Sequence, residues 1–162
     1  MLKKIAVCAM LASVTFIFGC SNESSSANAS AVQATRSAAQ LDEEGLVAAV
    51  GSPSLDKYNL DDGYGFAFRA DGNPAFKLEF RQNRVNVAWE AFPTSDGSFD
   101  SVNAENAHWG QQVLNYAIGD ALAKDVFAAI NTQQSTKFNA YGHEVRVMPG
   151  SMQNLVTLYS NK

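Results

Sequence analysis

Thiols and imidazoles are scarce in this chain: two cysteines and two histidines in 162 residues. Cys8 lies within an apolar N-terminal run and Cys20 at its end, so no thiol remains beyond residue 20. That excludes disulfide staples, thiol nucleophiles and cysteine-ligated metals from everything downstream. His108 and His143 do not make a zinc signature, because the residue four positions after His143 is Val147. Glycine-rich phosphate loops and dinucleotide fingerprints are missing, and Gly150-Ser151 lacks the flanking glycines of a nucleophile elbow. No basic cluster occurs either. With a formal net charge of −4, the chain is poorly suited to nucleic acid or to an anionic membrane surface.

What is present begins with the leader. Lys3 and Lys4 precede an uncharged run from Ile5 to Phe18, and Gly19-Cys20 closes it. A basic start, an apolar centre and a small residue before the break are the layout of a secretory signal. The run is 14 residues long, short of the ~20 that a membrane-spanning helix requires. Ile17-Phe18-Gly19-Cys20 resembles the lipobox of bacterial lipoproteins, with Phe18 where that family usually has a small residue. The resemblance implies cleavage of residues 1–19 and acylation of Cys20, palmitate being a typical chain. Ser21 follows in place of a retention aspartate, which by the family's sorting habit implies the outer membrane. Two or more acyl chains give stable attachment where one is marginal, each buried methylene contributing about 0.8 kcal/mol.

Residues 20–40 are dominated by serine and alanine and offer almost nothing to bury, so they read as a lipidated cysteine followed by a flexible tether. Residues 41–162 read as one globular domain, large enough for a real core. Loss of Lys3 and Lys4 with the leader would leave ten basic side chains against sixteen acidic ones.

Within the domain, Asp42 to Val50 suits a short helix, with acidic residues at its start and Gly51 after its end. Ser52 to Gly63 is turn-rich. Period-two alternation follows at Tyr64/Phe66/Phe68, at Phe76/Leu78/Phe80 and at Val85/Val87/Trp89, separated by Asp71-Gly72-Asn73-Pro74 and by residues 81–84. This predicts a three-stranded meander with an aromatic inner face. Leu114, Ile118, Leu122, Val126 and Ile130 recur every four residues, which predicts a long helix from about Asn103 to Asn131, bent at Gly119 and covering the sheet. Phe138 to Tyr141 and Glu144 to Met148 flank Gly142-His143, read as a two-residue hairpin turn. Leu155 to Tyr159 makes the last strand. The expected fold is therefore α+β: an antiparallel sheet of about six strands, with the long helix packed on one face.

Candidate sites are sparse. His143, Glu144, Tyr141 and His108 are candidate contact residues, with no catalytic role assigned to any. The acidic turns at Asp61-Asp62-Gly63, Asp71-Gly72-Asn73 and Asp96 to Asp100 lack the ligand spacing of a helical calcium loop and read as turn chemistry. No metal and no cofactor is expected. The favoured reading is an outer-membrane lipoprotein, attached to the membrane through acyl chains on Cys20. Its domain binds another envelope macromolecule, most readily a protein, without catalysis, as an accessory, inhibitor or immunity factor would. One rival is a hydrolase of envelope polysaccharide using paired carboxylates among Glu90, Asp96, Asp100 and Glu144. A second is a carrier of a small apolar ligand in a cavity between helix and sheet.

Overall fold

The computed structural model describes residues 38–70, 73–93 and 95–160. The leader, Cys20, the tether as far as residue 37, and the turn residues Asp71 and Gly72 lie outside the described residues. Among the described residues, three helices and seven strands follow in order: α1 (Glu43–Val50), β1 (Asp56–Leu60), β2 (Gly63–Ala70), β3 (Asn73–Arg81), β4 (Arg84–Glu90), α2 (Asp100–Ile118), α3 (Asp120–Asn131), β5 (Thr136–Ala140), β6 (His143–Met148) and β7 (Gln153–Tyr159). All strand pairs are antiparallel in one sheet of order β1-β2-β3-β4-β7-β6-β5. The α+β class and antiparallel sheet match expectation.

Helix α1 starts where the Asp42 carboxylate accepts the Gly45 amide at 2.8 Å, satisfying one of the orphan donors of the first turn. The other Asp42 oxygen accepts the Tyr116 hydroxyl at 2.7 Å, which ties α1 to α2. The Tyr116 bond first, and the Gly45 amide second, hold this carboxyl below its ordinary value. The Gln40 amide also donates to the Ala117 carbonyl at 2.9 Å, so the end of the expected tether is already docked.

The alternating side chains do bury one face. Phe68, Phe76, Leu78, Val87, Val145, Val147, Val156 and Leu158 are fully buried, and Trp89 nearly so. Trp109 of α2 meets Phe68 and Phe76 edge-on, and Phe127 of α3 stacks on Trp89 at 5.7 Å. The two helices thus lie on the aromatic face, and the space beneath them is filled.

Four expectations need correction. The sheet has seven strands rather than six, because Asp56–Leu60 in the turn-rich stretch pairs with β2. An edge strand has one partner and little to bury, so its sequence (DKYNL) shows no strong alternation. Asn73 and Pro74 belong to β3 rather than to the preceding turn. The long helix is two helices. Gly119 adopts φ 80 and ψ 158, a region open in practice only to glycine, and its amide still caps the Asn115 carbonyl at 3.0 Å. The break re-phases the buried stripe: Val113, Leu114, Ala117 and Ile118 are buried before it, Ala123, Val126, Ala129 and Ile130 after it. Finally, the β5–β6 turn is Tyr141-Gly142, both with positive φ as a type I′ turn demands, and His143 is the first residue of β6.

Candidate functional site

The opposite face of the sheet carries no helix among the described residues; Ala67, Ala88, Leu155 and Met148 share one row of it, and polar side chains dominate the rows beside that one. Register places one row across all seven strands: Tyr58, Gly65, Glu79, Asn86, Thr157, Arg146 and Lys137. A second row, one step towards the β3–β4 turn, reads Leu60, Gly63, Arg81, Arg84 and Tyr159. Alternation in β2–β4 and β7 sends these residues outward because their neighbours in sequence are the aromatic and aliphatic residues of the core.

The row is joined by hydrogen bonds. Tyr58 crosses over Gly65 to donate its hydroxyl to Glu79 at 3.3 Å, and a Cβ at position 65 would stand 2.5 Å from the Tyr58 Cζ. Asn86 donates to the other Glu79 oxygen at 2.9 Å and accepts from the Thr157 hydroxyl at 3.0 Å. Arg81 donates to Glu79 through Nε at 3.0 Å and reaches Asp62 through Nη1, while Arg84 meets the second Asp62 oxygen at 3.3 Å. Farther along, Arg146 pairs with Glu144 and lies 4.7 Å from the Tyr159 ring centroid. Asn86 and Thr157 are buried although they point away from the core, because longer neighbours close over them.

The electrostatics follow. Burial alone would push the Glu79 carboxyl up, but bonds from Asn86 and Arg81, the Arg81 charge and the Tyr58 hydroxyl outweigh it, so its pKa sits below the ordinary value. Burial, then the Glu79 charge and hydrogen bond, pushes the Tyr58 phenol up to about 12. Glu79 is therefore ionised and Tyr58 neutral at pH 7. The face presents fixed donors and acceptors, suited to hydrogen-bonded recognition.

The residues singled out from sequence fall in several places. Tyr141, His143 and Glu144 lie together at the β5–β6 turn, at one end of the sheet. His143 Nδ1–H donates to the Tyr159 carbonyl at 2.8 Å. Glu144 is held by Arg146 and, at 3.9 Å, by Lys137. His108 is mid-helix in α2, exposed, and on the other side of the sheet. Of the four carboxylates considered for hydrolysis, Glu90 bonds Gln153 at 3.3 Å and Lys77 at 4.0 Å on the open face. Glu144 lies beside Tyr159, which pairs with Arg84 at the far end of β4 from Glu90. Six residues of strand separate the two ends, roughly 20 Å, beyond the ~5–10 Å that paired glycosidic carboxylates need. Asp96 is occupied by Ser98 at 2.6 and 3.0 Å, and Asp100 opens α2 across the sheet. No group of three or more metal-ligating side chains occurs among the described residues.

From the sequence Tyr58 reads only as one of several scattered aromatics that complete the core or its rim, and Glu79, Asn86 and Thr157 are not distinguished. Their one local signal is Gly65, a glycine inside an aromatic alternation, which marks a close approach.

Comparison with known families, characterised proteins and solved structures finds no match to this chain.

Proposed function

We propose that this chain is an outer-membrane-anchored lipoprotein whose domain binds another envelope macromolecule, a protein, through the open face of its sheet and without catalysis. The observation that carries the binding half is the hydrogen-bonded row from Tyr58 to Thr157, flanked by Arg81, Arg84 and Arg146. Arginine and tyrosine are the residues on which protein interfaces most depend, and here their side chains are pre-ordered by neighbours before any partner arrives. The anchoring half rests on the leader and Ile17-Phe18-Gly19-Cys20. A fixed membrane position raises the effective concentration of a partner at the same surface.

The filling of the space under the helices by Phe68, Phe76, Trp89 and Trp109 argues against a carrier, and the separation of Glu90 from Glu144 argues against that carboxylate pair.

The test has two arms. Labelled palmitate is expected to enter the protein in cells and to be lost in Cys20→Ala; label persisting in that variant refutes the anchor. In intact envelopes, the paired change Arg81→Gln with Arg84→Gln is expected to abolish crosslinking to the partner while fractionation stays unchanged. Undiminished crosslinking refutes the open face as the binding surface.

A further inference from the structure

A second site lies on the helix side of the sheet, at the β1–β2 edge beyond the cover of α2. Tyr64, Phe66 and Phe80 form a ring trio there: Phe66 stands edge-on to both partners at 6.1 and 6.0 Å, and Tyr64 stacks on Phe80 at 5.8 Å. Lys57, the register partner of Phe66, holds its ammonium 4.2 Å from the Tyr64 centroid, 4.8 Å from the Phe66 centroid and 3.8 Å from Glu43. The Tyr64 hydroxyl donates to the other Glu43 oxygen, which fixes the carboxylate beside the rings. Next to this group opens a pocket of about 430 Å³ lined by Glu43, Glu44, Val47, Ala48 and Phe66.

We propose that the ring group and the pocket beside it together form a recognition site for a lysine side chain of a partner protein, with Lys57, whose ammonium already sits over the Tyr64 and Phe66 rings, as an internal competitor that gives way to it. The electron-rich ring faces and the two carboxylates attract a cation. The apolar wall of Val47, Ala48 and Phe66 suits a methylene stem rather than a compact ion. The volume falls within the range of ligand pockets, and an acidic chain complements a basic partner segment. Lys57 already shows that an alkylammonium settles here, yet it is weakly held: its side chain is 54% exposed and that of Glu43 is 40% exposed. An ion pair so open to water is screened, so displacement is easy. The proposal borrows from the binding reading above only the idea of a protein partner. It uses a different face and is tested with a small probe, so either can fail alone.

The test is an NMR titration of the full chain with Nα-acetyl-lysine N-methylamide, with the neutral Nε-acetylated analogue as control. Saturable shifts confined to Tyr64, Phe66, Val47 and Ala48 are expected for the charged probe only. Removing the internal competitor in Lys57→Met or Lys57→Gln should tighten binding several-fold, and Glu43→Gln should weaken it several-fold. Absence of saturable binding to both Lys57 variants, equal binding of the acetylated analogue, or indifference to Glu43→Gln overturns the site. Phosphoethanolamine binding as tightly as the lysine probe overturns the assignment to a protein side chain and points to a lipid headgroup.

Discussion

Substituting alanine at Gly65 should destabilise the protein, although alanine is the better strand residue. In a strand interior, glycine to alanine ordinarily gains about 0.5–1 kcal/mol. Here the new Cβ would lie 2.5 Å from Tyr58 Cζ and 2.6 Å from its hydroxyl, so the ring must swing away from Glu79. The hydroxyl bond to a charged acceptor is long, at 3.3 Å, and partly open to solvent, so its loss costs about 1 kcal/mol, below the usual range for charged partners. Re-exposing part of the ring costs about 0.5–1 kcal/mol more. Net destabilisation is then about 1 kcal/mol. In a Tyr58→Ala background the three atoms nearest a Cβ at position 65 are removed, and Gly65→Ala should stabilise by about 0.5–1 kcal/mol. The sign reversal implies a coupling of about 1.5–2 kcal/mol, well above the few tenths expected of independent sites. Urea unfolding of the four proteins, followed by the fluorescence of the buried Trp89 and Trp109, measures it. Stabilisation by Gly65→Ala in both backgrounds would refute the crossing of Tyr58 over β2.

Glu79→Gln should lower stability at pH 7 and flatten the acid side of the stability curve. A carboxyl depressed on folding contributes its full stabilisation above its ordinary value of 4.5 and loses it as pH falls through the lower folded value. Urea midpoints of wild type and variant should therefore converge towards low pH; parallel curves would contradict the network. Gly119→Ala should cost about 1–3 kcal/mol, since alanine cannot adopt φ 80, ψ 158 without strain, whereas a continuous helix would gain up to about 1 kcal/mol. The shift in urea midpoint decides the sign. Phe76→Ala, at a fully buried ring, should cost about 3–5 kcal/mol, and Phe66→Ala, at the half-buried rim, less than half as much. Equal losses would place Phe66 in the core and not at a recognition edge.

The inner face was legible because burial is read one strand at a time: Phe68, Phe76 and Trp89 alternate with alanine or charged neighbours whatever the strand order. The open-face row was not, because it exists only in register. Asn86 and Thr157 are 71 positions apart and meet through the β4–β7 pairing, which no local pattern encodes. Strand β1 escaped because an edge strand with Lys57 and Asn59 towards the helix side needs no apolar alternation. The apolar period stayed in phase across Gly119, yet the helix breaks there: backbone freedom at one glycine outweighed a stripe that alanines could re-form one position later. At the β5–β6 turn, a tyrosine with φ 55 occupies a position that usually takes asparagine or glycine, so composition pointed one residue too far.

The most direct measurement is face-resolved photo-crosslinking of the anchored protein in intact envelopes. A photoreactive residue at position 137 or 153 lies on the open face, and one at position 121 or 124 lies on the outer side of α3. Adducts to one envelope protein from positions 137 and 153, with none from 121 and 124, are the predicted result. Adducts from α3 alone, or from both faces equally, would contradict recognition through the open sheet.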